Sequence, residues 1–295
     1  MRVRTLAVAL LAGGLALTAC GKEGTPGDTG TAPSQQVASD VKVDGSATFE
    51  KMTKRGKVIV GVKEDQPGLG YKDPTTNKYT GFDIEISKLV AAKLGFAEDK
   101  VEFKSIPSAG REQALINGDV DYYVGTYTIN DKRKQQVAFA GPYFTAGQDL
   151  LVKKDDNSIT GPETLKGKKV CSVTGSTPIQ KVKTDGLTEA GNIVELQTYS
   201  QCVTQLLEGA IDAVTTDDAI LKGYAAQTPD KLKVVGKTFS NEPYGIGLPK
   251  DDKALRDKVN DILDAAIKGG DWLSVYDATL GKSGSPADKP VIDRY

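Results

Sequence analysis

The chain has 295 residues, 39% of them apolar, a length that suits two lobes of roughly 100–150 residues better than one core. Its 38 basic and 39 acidic residues give a formal charge of −1, which argues against a nucleic-acid binder. There is no histidine, which excludes Ser-His-Asp and Cys-His nucleophiles and the common zinc sites, and the three cysteines are too few for a metal cluster. We therefore expect neither a metal nor a cofactor.

Residues 1–19 have the pattern of a secretory signal. Arg2 and Arg4 precede a run of small and apolar residues at 6–17, which is shorter than the roughly 20 residues of a membrane-spanning helix. The run leads into the letters LTAC, which resemble a bacterial lipobox. That resemblance implies cleavage before Cys20 and lipidation of its thiol.

The segment that follows, residues 20–50, is rich in Gly, Thr, Ser and Pro and has few apolar side chains in its first part. Such a composition predicts a flexible tether rather than a packed element. We therefore expect an extracytoplasmic protein, lipid-anchored through Cys20 to the outer face of the cytoplasmic membrane.

Export leaves Cys171 and Cys202 as a pair in an oxidising compartment. Cys171 lies in a strand pattern and Cys202 near the start of a helical one. The sequence contains no CxxC arrangement that would favour a reactive dithiol. We predict a disulfide between the two.

Strand and helix patterns alternate along the body of the chain. The segments predicted as strands are 57–62, 101–106, 120–126, 168–173, 191–196 and 211–216. The segments predicted as helices are 82–96, 111–118, 201–209 and 218–226, followed by a mainly helical stretch over 250–280. This alternation predicts an α/β fold with largely parallel sheets.

The chain contains a faint internal repeat. LINGDVDYYVGT at 115–126 aligns with LLEGAIDAVTTD at 206–217. Each is a helix that ends in glycine, then a strand, then a polar residue where the strand ends. We infer two similarly built lobes, with a cleft lined by the polar residues beyond the carboxyl ends of the strands. That set mixes cations, hydroxyls and one acidic position, which suits a zwitterionic amino acid.

Four segments carry a resemblance to a known family: TGFDIEISKLVAAKLG, GTYTINDKRKQQVAFAGPYF, TGSTP and GIGLPKDD. They resemble the polar amino-acid class of solute-binding proteins of ABC importers. The resemblance implies a two-lobed, type II periplasmic-binding-protein-like fold, each lobe a mostly parallel sheet flanked by helices. Lobe 1 would comprise 51–145 and 243–295, lobe 2 would comprise 146–242, and two crossings near 144–150 and 238–244 would act as hinges. The implied partners are an amino acid and the permease subunits in the membrane, with the protein itself a monomer.

The resemblance also implies roles for individual residues. The α-carboxylate clamp of the family falls on Arg133, and the ligand of the ammonium group falls on Asp217. Asp217 could instead cap the helix that follows it, a position where aspartate is favoured. The other residues that we expect at the ligand from the family pattern are Gly125, Thr126, Thr128, Thr174, Gly175, Ser176, Thr177 and Tyr199.

Specificity depends on the residues at the far end of the pocket. Where many relatives have an aromatic residue after the first strand, this chain has Lys63 and Gln66, and Arg111 stands where others have an aromatic residue or leucine. This arrangement is similar to the glutamate/aspartate-binding branch, in which further cations hold the distal carboxylate. Arginine matches a carboxylate with two hydrogen bonds. We therefore expect L-glutamate, or aspartate, as the ligand.

Three alternatives stay open at this point. The first is a glutamine- or asparagine-binding protein of the same importer class. The second is a sensor subunit that reports glutamate to a membrane partner. The third is a lyase on the same scaffold, such as a cyclohexadienyl dehydratase, for which Glu64, Asp65 and Asp217 would have to supply acid/base chemistry. We expect a binding protein and not an enzyme.

Overall fold

The computed structural model describes residues 34–283 and 287–295. The predicted signal segment and Cys20 lie outside these residues. The chain forms two lobes, each built on one five-stranded sheet. Within the described ranges, no helix combines the length and the apolar character needed to cross a membrane.

Lobe 1 contains a sheet in the order β5-β1-β6-β13-β7 and a small sheet β2-β3-β4. Its strands are β1 (Val58–Val62), β2 (Asp65–Gln66), β3 (Gly70–Lys72), β4 (Tyr79–Thr80), β5 (Val101–Ser105), β6 (Tyr122–Tyr123), β7 (Val137–Ala146) and β13 (Glu242–Pro249). Its helices are α1 (Ala47–Arg55), α2 (Phe82–Lys93), α3 (Arg111–Ile116), α4 (Asp131–Lys134), α8 (Lys253–Gly269) and α9 (Asp271–Ala278).

Lobe 2 contains a sheet in the order β10-β9-β11-β8-β12. Its strands are β8 (Gln148–Lys153), β9 (Val170–Val173), β10 (Ile193–Leu196), β11 (Ala213–Asp217) and β12 (Leu232–Val234). Its helices are α5 (Thr177–Thr184), α6 (Tyr199–Glu208) and α7 (Asp218–Gln227). The chain passes between the lobes twice, at Gly147 between β7 and β8 and again between β12 and β13.

The predicted α/β fold is confirmed, but the sheets are mixed rather than largely parallel. In lobe 1, β1 pairs in parallel with β5 and β6, whereas β13 pairs antiparallel with β6 and β7. In lobe 2, β9 pairs in parallel with β10 and β11, whereas β8 pairs antiparallel with β11 and β12. In the two five-stranded sheets, each antiparallel pairing involves at least one of the four strands that adjoin the crossings. The strand-helix alternation on which the prediction rests describes only the parallel strands, which are β1, β5 and β6 in lobe 1 and β9, β10 and β11 in lobe 2.

The internal repeat corresponds to a shared structural device. Gly118 and Gly209 both adopt left-handed conformations where a helix ends, with φ of 69° and 79°. Asp121 then accepts a hydrogen bond from the backbone N–H of Ile59 at 2.7 Å, and Asp212 accepts one from Lys169 at 2.7 Å. In each lobe an aspartate therefore ties the turn after one helix to the beginning of the central parallel strand.

The predicted tether extends less far than expected. The helix α1 begins at Ala47, and Val43 and Phe49 are buried against the core of lobe 1. Ser46 accepts a hydrogen bond from the N–H of Phe49 at 3.0 Å and donates one to Asp252 at 2.8 Å. The stretch before residue 50 is therefore partly folded, because a serine N-cap and a few apolar side chains are enough to dock one short helix.

The last described segment, residues 287–295, packs along β7, the outermost strand of the lobe 1 sheet. The N–H of Asp293 donates to the carbonyl of Gly141 at 2.8 Å, and the N–H of Phe139 donates to the hydroxyl of Tyr295 at 2.8 Å. The sequence patterns gave no expectation for this segment beyond its assignment to lobe 1.

Cys171 and Cys202 form a disulfide that ties β9 to α6, with the two Cα atoms 5.7 Å apart, as predicted. The bridge closes a loop of 31 residues. Chain entropy predicts that a loop of this length stabilises the fold by roughly 3–4 kcal/mol. We expect the double variant C171A/C202A to lose about that much free energy of unfolding in urea, with an unchanged α/β circular dichroism spectrum. An unchanged unfolding midpoint would contradict this expectation.

Candidate ligand-binding site

The ends of the strands in the two lobes meet in direct contact between the lobes. The hydroxyl oxygens of Thr128, after β6, and Thr177, after β9, lie 3.3 Å apart. Most of the predicted ligand-binding residues are buried here although they are polar. The buried ones are Lys63, Arg111, Gly125, Thr126, Thr128, Arg133, Ser176, Tyr199 and Asp217, and Thr174, Gly175 and Thr177 are half-buried. So many buried polar groups in one place indicate a site built for a polar ligand.

The loop after β6 has an unusual backbone that Asp83 holds in place. Thr126 has a φ of 43°, a left-handed conformation that β-branched residues rarely adopt. The N–H of Thr126 donates to Asp83 at 3.0 Å, and the hydroxyl of Tyr143 donates to the other oxygen of Asp83 at 2.8 Å. Burial raises the pKa of Asp83 to about 6. The first turn of α2 therefore fixes the loop that carries Thr126 and Thr128.

Arg133 is anchored in lobe 1 and reaches lobe 2. Its guanidinium donates to the carbonyl of Thr128 at 2.7 Å and to the carbonyl of Gly175 at 3.1 Å. Glu112 lies 3.4 Å from its Nε. Burial and the neighbouring Arg111 lower the pKa of Arg133 to about 10. The side chain is a buried, charged group and not part of a solvated charge run.

Arg111 is similarly enclosed, with 2% of its surface exposed. Its guanidinium donates to the carbonyls of Ser108 at 3.1 Å, Thr126 at 3.3 Å and Gly175 at 3.3 Å. It opens α3, as the sequence indicates, but it is not a surface cation at a helix start. A buried guanidinium that bonds only neutral carbonyls has no formal counter-charge among these partners.

The three predicted cations form a row, which we call the cation row: Lys63, Arg111 and Arg133. Arg111 and Arg133 share the carbonyl of Gly175 and both contact the ring of Tyr127, with guanidinium carbons 4.3 Å and 4.9 Å from its centroid. At the other end, the ammonium of Lys63 donates to the hydroxyl of Ser108 at 2.7 Å. Burial and, to a smaller extent, the positive charge of Arg111 lower the pKa of Lys63 to about 7. Glu112 lies beside Arg133, but the hydrogen-bond partners of Arg111 and Lys63 are uncharged, so an anion placed beside these two would stabilise their charged forms.

An acidic pair lies at the opposite end of the site, formed by Asp217 and Glu242. One oxygen of Asp217 accepts a hydrogen bond from the hydroxyl of Tyr244 at 2.6 Å, and the other has no partner among the described residues. Burial, and then Glu242, raise the pKa of Asp217 to about 8. Thr177 donates to Glu242 at 2.8 Å. A cation placed beside Asp217 would stabilise its ionised form.

The alternative interpretation of Asp217 as a helix cap is wrong. Asp217 occupies the N-cap position of α7, but its side chain makes no capping hydrogen bond. It is directed instead towards Tyr244 in β13, on the other lobe. The residue is thus free of the local role that its position would otherwise suggest.

The remaining predicted residues contribute mainly backbone and shape. The hydroxyl of Ser176 caps α5 by accepting from the N–H of Ile179 at 3.2 Å. The N–H of Thr174 donates to Leu196 at 3.0 Å. Gly125 leaves no room for a side chain, because a Cβ there would lie 2.8 Å from the hydroxyl of Tyr123.

Gly175 must approach lobe 1 closely. Its φ is 81°, and a Cβ would lie 2.7 Å from the Cα of Ala109. Only glycine combines this backbone conformation with so short an approach. The carbonyl that joins Arg111 and Arg133 therefore depends on the glycine of the TGSTP turn.

Several residues of the site were not among those predicted: Asp83, Tyr127, Glu242 and Tyr244. Gln66, which with Lys63 stands where many relatives have an aromatic residue, also lies in the site although it was not named as a ligand residue. Gln66 is fully buried, its amide oxygen accepts from the hydroxyl of Thr126 at 3.2 Å, and its amide nitrogen has no partner in the described part of the chain. The only sequence signal for Gln66 is its place after the first strand. Glu242 and Tyr244 follow the second crossing, and nothing in the local pattern distinguishes them from other strand residues.

Among the residues described by the structure, no group of three or more His, Cys, Asp or Glu could hold a metal ion. The site instead combines guanidinium and ammonium donors, hydroxyls and two carboxylates between two lobes. Two lobes that are joined by two crossings and meet around such a site define a two-lobed binding protein for small polar solutes.

Comparison with known proteins identifies the family. Residues 58–282 match the family of bacterial extracellular solute-binding proteins, family 3. The chain belongs to this family, whose members serve ABC importers of polar amino acids.

Individual relatives extend over most of the chain. A glutamate-binding protein, GluB, of Corynebacterium efficiens is 40% identical over 254 residues, covering 81% of this chain and 85% of the relative. A glutamine-binding protein of Geobacillus stearothermophilus is 41% identical over 250 residues, covering 84% and 92%. The solved structure of an ancestral arginine-binding protein bound to glutamine is similar with a TM-score of 0.71 and 40% identity, covering 77% of this chain and 99% of that one.

Proposed function

We propose that this protein is the substrate-binding subunit of an ABC importer and that it captures L-glutamate, or aspartate, between its lobes. One observation carries the proposal: the cation row is buried and ends beside the acidic pair. A dicarboxylic amino acid has the complementary order of charges, because its ammonium and α-carboxylate share one carbon and its second carboxylate lies further away.

The contacts of the cation row indicate which end of the ligand lies beside each cation. Arg133 is linked to the acidic pair through Thr128 and Thr177. Its guanidinium donates to the carbonyl of Thr128, whose hydroxyl lies 3.3 Å from that of Thr177, and Thr177 donates to Glu242. We assign the α-carboxylate to Arg133 and the ammonium to Asp217. The hydroxyl of Thr128 is placed to donate to the same end, whereas the hydroxyl of Thr177 donates to Glu242 and holds the acidic pair beside it.

The far carboxylate is assigned to Arg111 and Lys63. Leaving a buried cation of this kind without an anionic partner costs roughly 2–5 kcal/mol. The amide nitrogen of Gln66 is buried and has no partner among the described residues. It is therefore available to donate a hydrogen bond to an acceptor group of the ligand. Tyr199, the first residue of α6, supplies a buried aromatic wall in lobe 2.

Binding is coupled to closure of the lobes. Arg133 and Arg111 belong to lobe 1 and Asp217 belongs to lobe 2, so one ligand joins the two. Such contacts are complete only when the lobes are shut, which shifts the population towards the closed form. The crossings at 144–150 and 238–244 act as the hinges of this motion.

Delivery follows from the amino-terminal pattern. Lipidation at Cys20 holds the protein, as a monomer, at the outer face of the cytoplasmic membrane. From there the closed form passes its amino acid to the permease. The protein makes and breaks no covalent bond in the ligand, and it has no need of a metal or a cofactor.

Glutamine is the second candidate ligand. The relative from Geobacillus stearothermophilus, named a glutamine-binding protein, favours it at 41% identity. The charge of the cation row favours glutamate, because an amide leaves Arg111 without an anion. A sensor subunit would bind in the same way, and measuring glutamate uptake in a strain that lacks the protein separates that role from import.

The test is a binding panel of the twenty amino acids by calorimetry on the mature chain, after unfolding and refolding to remove co-purified ligand. Glutamate is expected to bind roughly 30-fold to several thousand-fold more tightly than glutamine. Equal or tighter binding of glutamine would contradict the assignment of glutamate. Turnover of prephenate or arogenate would contradict the assignment as a binding protein.

A further inference from the structure

A second set of contacts joins the lobes without using the ligand site. The carboxylate of Asp65, in β2 of lobe 1, accepts hydrogen bonds from the backbone N–H groups of Tyr199 at 2.8 Å and Ser200 at 3.2 Å. These two residues form the first turn of α6 in lobe 2. A carboxylate that bonds the free N–H groups of a helix start is stabilising there.

The same segment of lobe 1 also contacts α7. The hydroxyl of Tyr224 donates to the carbonyl of Asp65 in a short hydrogen bond and lies 3.4 Å from its carboxylate. One residue earlier in α7, Gly223 lies directly against the backbone of Pro67. A Cβ on Gly223 would be 2.2 Å from the carbonyl oxygen of Pro67.

The glycine is required by the lobe contact and not by the helix. No positive φ marks Gly223, which lies inside α7, and alanine is the better residue in a helix interior. Within lobe 2 alone, Gly223→Ala is therefore compatible with the fold. Its only steric conflict among the nearest atoms is with Pro67, in the other lobe.

We propose that Asp65 and Pro67 form a closure latch, which docks on the start of α6 and on Gly223 of α7 and holds the lobes shut through contacts that the ligand does not make. The proposal rests on the proposed function, because a latch matters only to a protein that closes over its ligand. The latch adds the same free energy to the closed complex of every ligand. The latch therefore changes the affinity for every amino acid alike, whereas the cation row determines the preference for glutamate over glutamine.

The latch also positions two predicted ligand residues. Tyr199 is the first residue of α6, and Asp217 directly precedes α7. Docking Asp65 and Pro67 on these two helices brings both residues to a fixed place relative to lobe 1. The role of Asp65 is therefore to position residues of the site, without contact to the ligand.

The test compares wild-type protein with Gly223→Ala and Asp65→Asn by calorimetry with glutamate and glutamine. Gly223→Ala is expected to weaken both ligands by the same factor, about 10- to 100-fold. Asp65→Asn is expected to weaken both by about 3- to 10-fold, because the amide keeps an acceptor and loses the charge. In Gly223→Ala the ratio of the glutamate and glutamine affinities is expected to stay at its wild-type value. Asp65→Asn does not test this ratio, because Asp65 also contributes to the electrostatic environment of Lys63.

Matched controls separate the latch from general effects. Gly269→Ala introduces the same methyl group into a helix where nothing lies within 4 Å, and Asp73→Asn alters a carboxylate that bonds only backbone and hydroxyl groups of its own loop. Both are expected to bind as the wild type does. The thermal midpoint of ligand-free Gly223→Ala is expected to equal or exceed that of the wild type. Small-angle scattering of the ligand-saturated variant is expected to give a larger radius of gyration.

Each failure has its own signature. Wild-type affinity in Gly223→Ala, or an unchanged radius in its ligand-saturated form, would overturn the latch while the proposed function stands. A change in the preference between glutamate and glutamine in Gly223→Ala would assign this contact to the ligand pocket instead. Wild-type protein that binds no amino acid would overturn the proposed function itself.

Discussion

Replacing Arg133 with methionine is expected to weaken glutamate binding by roughly 150- to 5000-fold. The side chain is buried and joins the carbonyls of Thr128 and Gly175, one from each lobe. Without it the α-carboxylate of the ligand enters a closed site with no charged partner, at a cost of about 3–5 kcal/mol. Since every amino acid has this carboxylate, glutamine and aspartate are expected to weaken by the same factor.

Calorimetry on folded Arg133→Met checks this expectation, with Lys132→Met as its control. Lys132 is the exposed neighbour of Arg133 in the same short helix, so its loss removes one positive charge at almost the same place. It is expected to change affinity by less than about threefold. If Arg133→Met bound glutamate within tenfold of the wild type, the α-carboxylate would have to lie elsewhere in the cation row.

Arg111→Met is expected to remove the preference for an acidic ligand. Arg111 occupies the middle of the cation row. It donates to the carbonyls of Gly175 and Ser108, and the hydroxyl of Ser108 accepts a hydrogen bond from Lys63. Loss of its guanidinium, which can bond a carboxylate with two hydrogen bonds, is expected to weaken glutamate binding by roughly 30-fold to a few thousand-fold. Glutamine, whose amide gains nothing from the charge, is expected to weaken by less than about tenfold.

The ratio of the two affinities is the decisive measurement, because a variant that only loosens the loop weakens both ligands alike. Arg111→Lys keeps the charge and loses the two-bond geometry, so an intermediate ratio is expected. A glutamate-to-glutamine ratio equal to that of the wild type in Arg111→Met would refute the role of this residue in specificity.

The fold could be predicted from the sequence wherever elements follow one another locally. The apolar run that forms β1 and the helical spacing of α2 give both elements to within a few residues. The antiparallel partners β13 and β7 could not be predicted, because they are brought together from segments about 100 residues apart in sequence. Their pairing depends on the path of the chain through lobe 2, which no local pattern encodes.

For the candidate site, most of the residues could be predicted from the sequence, but their arrangement in space could not. Lys63, Arg111 and Arg133 were expected as cations of the pocket, and all three are buried in one row. That Arg111 and Arg133 meet at one carbonyl oxygen depends on the left-handed backbone of Gly175 in the other lobe, and the loop of Thr126 is held by a hydrogen bond to Asp83 from another element. A tertiary hydrogen bond of this kind leaves no pattern in the sequence. The assignment of the twelve predicted residues to the ligand remains a prediction.

The segment that packs along β7 has a consequence for contacts between copies of the protein. An outermost strand offers unpaired N–H and C=O groups on which a neighbouring copy can add its own strand. Here the hydroxyl of Tyr295 accepts from Phe139, the N–H of Asp293 donates to Gly141, and the side chain of Asn260 accepts from the N–H of Gly141. These three backbone groups of Phe139 and Gly141 are therefore not available to a strand of a neighbouring copy, which disfavours edge-to-edge association at this part of β7.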